Sequence, residues 1–118
     1  MKYTVEVIDF KLLSVNRKFF TYRNRMIMSK DYRDFYNNLE KIFNESEKPS
    51  EPIEHPCKTR IEVWTYNDID NIVKPIHDIL EKTGYIKNDR LINQTLIIKT
   101  PVKRGELSTL RVELSEIK

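Results

Sequence analysis

Apolar residues recur with two different periods along this chain, and the changes of period divide it into elements. Over residues 2–13, Tyr3, Val5 and Val7 alternate with Thr4 and Glu6, which is the pattern of a strand with one face buried. The parity then shifts to Ile8, Phe10 and Leu12, which predicts either a bulge near Val7–Ile8 or burial on both faces. Residues 14–28 form a basic and aromatic connection. Ser29 suits a helix cap and Asp31 faces the positive end of the helix dipole. Tyr32, Phe35, Tyr36, Leu39, Ile42 and Phe43 then fall at helical spacing and predict a core-facing stripe that ends near Asn44. Pro49, Pro52 and Pro56, set among Glu, Ser and Lys, make residues 45–56 an extended surface linker.

The second half repeats the change of period. Cys57, Thr59, Ile61, Val63 and Thr65 share one face of a strand, and Lys58, Arg60, Glu62 and Trp64 share the other. Ile72, Val73, Ile76, Ile79 and Leu80 give an amphipathic helix over about 71–82. Pro75 falls near its first turn, where a missing donor costs least, and Gly84 falls just past its end, where positive φ is wanted. Residues 91–100 and 108–117 read as two further strands, with Pro101 to Leu107 joining them as a hairpin. The expected fold class is α+β: a small mixed β-sheet with two helices packed on it, in the order β-α-β-α-β-β.

Length and charge narrow the choices. A chain of 118 residues is one domain, residues 1–118. Cys57 stands alone, so there is no disulfide framework and no thiolate cage. The apolar runs are too short for a membrane span, and residues 1–15 lack the apolar block of a signal peptide, so the chain reads as cytoplasmic. The net charge is +3, unevenly spread: residues 1–30 carry seven Lys/Arg against two acids, residues 31–56 three against seven, and residues 57–118 eleven against nine. That spread fits a polyanion partner or a solvated face. In the 14–28 connection, bases interleave with Phe19, Phe20 and Tyr22. This suits a nucleic-acid surface, and it equally suits two core phenylalanines among solvating charges.

The chemistry concentrates in Asn67-Asp68-Ile69-Asp70-Asn71-Ile72-Val73-Lys74, at the step from strand to helix. Residues two apart in an extended segment point the same way, so Asp68 and Asp70 can present carboxylates to one cation; either can instead cap the helix. Lys74 lies one turn on, and long helical side chains lean toward the N-terminus. Its ammonium can neutralise phosphate charge or orient the attacking water. Asp89 precedes the third strand. If that strand lies beside the second, Asp89 lands near the Asp68–Asp70 end of the sheet. Three carboxylates without a local His or Cys favour Mg2+, with Mn2+ as a substitute, over zinc. His77 is expected to face solvent, and Asp78 to pair with Lys74 at i, i+4.

These residues resemble the RusA family of Holliday junction resolvases. The resemblance rests on Asp68-Ile-Asp70-Asn71-Ile-Val-Lys74, Asp78-Ile-Leu in the same helix, and Asp89 before a strand. Ser14-Val-Asn16-Arg17, Ser29 and Tyr32-Arg33 match the family's first loop and helix. It covers nearly the whole chain. It implies a homodimeric, Mg-dependent endodeoxyribonuclease that cuts two opposing strands of a four-way DNA junction symmetrically, in recombination and repair, in a family common among phages and prophages. By position, Asp68, Asp70 and Asp89 would bind the metal and Lys74 would be the catalytic lysine. Where the bacterial enzyme carries an arginine-rich run before the acidic motif, this chain has Trp64-Thr65-Tyr66-Asn67. DNA contacts are therefore expected from Asn16, Arg17, Lys18, Arg23, Arg25, Lys87, Arg90, Lys103 and Arg104. The alternative is a non-catalytic branched-DNA-binding or phage regulatory protein on the same scaffold.

Overall fold

The computed structural model describes residues 2–10, 19–22, 25–28, 30–67, 69 and 72–117, with residues 19–22 and 25–28 described by their backbone. The strands are β1 (Lys2–Phe10), β2 (Phe19–Tyr22), β3 (Arg25–Met28), β4 (Cys57–Trp64), β5 (Ile92–Thr100) and β6 (Ser108–Glu116). The helices are α1 (Lys30–Glu45) and α2 (Val73–Lys82), and a 3-10 turn spans Asp89–Leu91. Four strands form a mixed sheet in the order β1-β6-β4-β5. The α+β class and the two-helix layer are as the sequence predicts.

The alternation explains the sheet. Cys57, Thr59, Ile61 and Val63 are all buried on the inward face of β4, beside Leu110, Val112 and Leu114 of β6 and Val5 and Val7 of β1. Both helices cover that face: Leu39 and Phe43 of α1 and Ile76, Ile79 and Leu80 of α2 join the same hydrophobic cluster. Removing such side chains from water is the main stabilising term of a domain this size. Phe10 stacks on Phe35 at 6.0 Å, fastening the end of β1 to α1. Tyr85 packs edge-on against Phe43, and its hydroxyl donates to the Phe43 carbonyl at 2.6 Å.

The parity shift in β1 is a bulge. The register slips between Val7 and Phe10, Asp9 takes φ 55°, Ile8 turns out to solvent and Phe10 returns to the core.

Three expectations change. The connection before α1 contains an antiparallel hairpin, β2 with β3, in register Phe19↔Met28; its run of bases hides the strand period. The Ser29 cap lies outside the described residues. The linker is not wholly a surface segment, because Ile53 is buried and bridges Ile86, donating to the Tyr85 carbonyl at 3.0 Å. Finally, β5 and β6 are not a hairpin. They flank β4, which pairs in parallel with β5 and antiparallel with β6.

After α2 the chain reverses at Gly84, φ +89°, where the Tyr85 amide donates to the Leu80 carbonyl at 2.9 Å. A Cβ there would meet nothing within 4 Å. Gly84→Ala should therefore cost only the left-handed backbone strain, about 1–2 kcal/mol, read as a lower urea midpoint with an unchanged slope.

Candidate functional site

Thr65 directly follows β4 and fixes where the acidic segment begins. It is fully buried. Its amide donates to the Thr100 carbonyl at 3.1 Å, and its own carbonyl accepts from the Val102 amide at 3.4 Å. Its hydroxyl oxygen accepts from the Asn67 amide at 3.2 Å and from the Ser108 hydroxyl at 2.7 Å. The bond to the amide two residues on is a hydroxyl-closed turn, and it steers the chain out of the sheet. Sequence reading assigned Thr65 only a place on the strand face. The signal for its role is a small hydroxyl residue at a strand end, two positions before a polar turn residue.

Asp68, Asp70 and Asn71 lie outside the described residues. Their neighbours bracket them. Tyr66 and Asn67 are exposed beyond the end of β4, Ile69 packs against the core, and the Ile72 amide donates to the Ile69 carbonyl at 3.2 Å as α2 starts. Lys74 stands exposed on the first turn of α2 with its ammonium 3.8 Å from Asp78, the expected i, i+4 pair. Both side chains are open to solvent, so the pair holds Lys74 only loosely.

Asp89 is partly buried at the start of the 3-10 turn. Its amide donates to the Glu81 carboxylate at 2.8 Å, and the side chain of Asn88 caps the turn by accepting from the Arg90 amide at 2.8 Å. Its position corrects the expectation. β5 does lie beside β4, but the pairing is parallel, from Cys57↔Ile92 to Trp64↔Thr100. Asp89 therefore sits at the Cys57 end, and the acidic segment leaves from the Thr65 end. Eight residues of β4 separate the two ends, roughly 26 Å at about 3.3 Å per residue. Among the described residues no three His, Cys, Asp or Glu side chains gather into a metal-binding group.

His77 does not face solvent freely. Its Nε2 lies 3.1 Å from the Thr59 hydroxyl and 3.4 Å from that of Thr95, and the two hydroxyls are 2.9 Å apart. Burial pushes the imidazole below its ordinary range, against the opposite pulls of Asp89 and Asp78. Helical periodicity could not reveal this, because both partners lie on strands distant in the chain.

The bases divide as the acids do. Lys87 and Arg90 flank Asp89, and Lys87 is paired with Glu54 at 2.9 Å. Lys103 and Arg104 are exposed in the 101–107 connection, at the other end of β5. Asn16, Arg17, Lys18 and Arg23 lie outside the described residues; Arg25 opens β3. On the sheet face without helices Glu6, Glu62 and Glu113 form ion pairs with Lys2, Arg60 and Arg111, and Lys58 is a further exposed base. No helix of the described residues is long and apolar enough to cross a membrane.

The class defined by this arrangement is a small α+β domain with an acidic strand-to-helix segment at one end of a βαβ unit and bases at both ends. The family model for endodeoxyribonuclease RusA matches residues 11–115, and the chain belongs to that family. It is thus an endodeoxyribonuclease of the Holliday junction resolvase class. No curated protein matches the chain at a significant level.

The depressed His77 pKa gives a pH test. A folded pKa below the unfolded value of about 6.5 means the unfolded state takes up protons first as pH falls. The contribution of the neutral ring is complete above that value and is lost as pH drops through the folded one. The urea midpoint should fall between about pH 7 and pH 5.5, and His77→Gln should flatten that slope.

Proposed function

We propose that the chain works as a homodimer, cutting two opposing strands of a four-way junction with Mg2+ and completing each active site across the two-fold axis. The observation that carries this reading is the parallel β4–β5 register. It sets Asp89 at the far end of β4 from the acidic segment, so one copy cannot bring Asp68, Asp70 and Asp89 to one ion. A second copy can. β5 is an edge strand whose outer side has no partner among the described residues, and Leu96 and Ile97 are 55% and 38% exposed on it. Its sequence carries one charge, Lys99, a sparse guard for an open edge. Two β5 strands paired antiparallel about a two-fold axis put the start of one beside the end of the other. Asp89, Lys87 and Arg90 of a second copy then approach Thr65, Lys103 and Arg104 of the first.

On this reading residues 1–118 act as one nuclease domain on chromosomal or phage DNA in a bacterial cytoplasm. The donor set, carboxylates alone, fits a hard divalent ion: Asp68 and Asp70 of one copy and Asp89 of the other would hold Mg2+, or Mn2+ in its place. Such an ion lowers the pKa of its bound water and steadies the leaving oxygen. Lys74, exposed and only loosely held by Asp78, would swing toward the scissile phosphate and offset its charge. Lys103, Arg104 and Arg90, together with Arg17, Lys18, Arg23 and Arg25 and the side chain of Asn16, contact the backbone. The alternative, a non-catalytic branched-DNA binder on the same scaffold, would leave Asp89 apart from the acidic segment and would bind junctions without cutting them.

Cleavage of a labelled four-way junction tests the site. Asp70→Asn should abolish cutting and leave junction affinity within about twofold, because it removes a metal ligand and no phosphate contact. Mixing two dead variants tests the sharing. In an Asp70→Asn/Asp89→Asn heterodimer, one shared site carries both lesions and the other carries none, so single-strand nicking should return. No recovery on mixing would place all three carboxylates within one copy.

A further inference from the structure

A cleft of about 430 Å3 opens at the Thr65 end of the sheet, between the Tyr66–Asn67 step, the end of β1 and the turn before β6. Tyr66, Leu107 and Phe10 form its apolar lining. Tyr66 and Leu107 are 51% and 55% exposed, two of the five large hydrophobic side chains that stand out to solvent among the described residues. Single exposed apolar residues are ordinary, but an aromatic and an aliphatic wall lining one cleft form a built surface. Asn67, Arg104 and Glu106 supply its polar groups. Arg104 makes no ion pair among the described residues, and Gly105 at φ +89° shapes the turn that carries it, closed by the Glu106 amide donating to the Lys103 carbonyl at 3.1 Å.

The occupant follows from these groups and their place. The chain passes directly from Asn67 into the acidic motif, so whatever fills the cleft lies beside the strand being cut. An aromatic wall takes the face of a nucleobase whatever its sequence. An amide and a carboxylate can meet its polar edge, and a free guanidinium can meet the phosphate attached to it. The volume is in the range of small-ligand sites and far below that of a duplex.

We infer that this cleft captures one nucleobase lifted out of the stack at the branch point of the DNA, with the base on Tyr66 against Leu107 and its phosphate on Arg104. A base at a junction has already lost part of its stacking and costs less to extrude than one inside a continuous duplex. The cleft therefore favours branched over linear DNA without reading sequence. This rests on the nuclease reading above and adds to it a source of structure selectivity.

The test is fluorescence anisotropy in chelator, with a labelled four-way junction and a linear duplex of the same arms. Tyr66→Ala should weaken junction binding about tenfold and leave duplex binding unchanged. Tyr66→Phe should stay within roughly twofold of wild type, since the ring carries the stacking. Leu107→Ser, on a separate segment, should weaken junction binding in the same selective way, so the test does not hang on a substitution beside the acidic motif. A junction carrying 5-iodouracil at the branch should crosslink to Tyr66. If the wild type binds and cuts the junction while Tyr66→Ala and Leu107→Ser bind it equally well, the cleft is not a base site and the nuclease reading stands. Equal losses on junction and duplex would make it a general DNA contact and overturn the selectivity. A wild type that neither binds nor cuts the junction overturns both.

Discussion

The parallel pairing of β4 with β5 constrains this molecule more than any other contact. It follows from α2. The apolar stripe Ile72, Ile76, Ile79 and Leu80 must cover the inward face of β4, so the chain crosses back over the sheet before β5 begins. β5 then runs beside β4 in the same direction and ends where β4 ends, with Thr65 bonded to Thr100. β6 takes the other side of β4, and β5 is left as an edge. The wide separation of Asp89 from the acidic segment, the open hydrophobic edge and the cleft at the Thr65 end are all consequences of that one register.

Much of this was legible from local periodicity. The alternation in residues 57–65 fixed which face of β4 is buried, the stripe from Tyr32 to Phe43 marked the core side of α1, and the parity shift after Val7 foretold the bulge at Asp9. The pairing order was not legible. Pro101 and Gly105 signal a reversal of the chain, and a reversal between two strands invites a hairpin. Yet turn chemistry sets only the local change of direction. Leu110, Val112 and Leu114 match the inward residues of β1 and β4 alike, and burial on both sides decided for β6 between them. The site suffers from the same blindness. The motif marks Asp68, Asp70, Lys74 and Asp89 as candidates for one site, but strand direction bears on whether one copy could assemble them. His77 was misplaced for a related reason, since a polar residue on a helix looks solvent-facing until Thr59 and Thr95 come to meet it.

Charge is distributed differently over the described surfaces. The helix-free face of the sheet has as many acids as bases among its ion-paired residues, with Lys58 a further exposed base. The ends of the βαβ unit differ. At the Thr65 end Lys103 and Arg104 stand exposed without acidic partners among the described residues. At the other end Lys87 is already neutralised by Glu54, and Arg90 is the base left open beside Asp89. Among the described residues of one copy, each end carries only two bases, Lys103 and Arg104 at one and Lys87 and Arg90 at the other. In the proposed dimer, docking β5 on β5 would unite them twice, once on each side of the axis.

That union links two properties that otherwise need separate explanations. An enzyme that cuts one strand of a junction and leaves the other produces a nicked branch rather than two resolved duplexes, so its two cuts must be coupled. If each site borrows Asp89 from the other copy, neither site exists without the dimer, and the symmetry that builds the first site builds the second at the same moment. The coupling then needs no signal passing between subunits. On that reading it would reside in the open edge of β5, where Leu96 and Ile97 are exposed and a second copy would cover them.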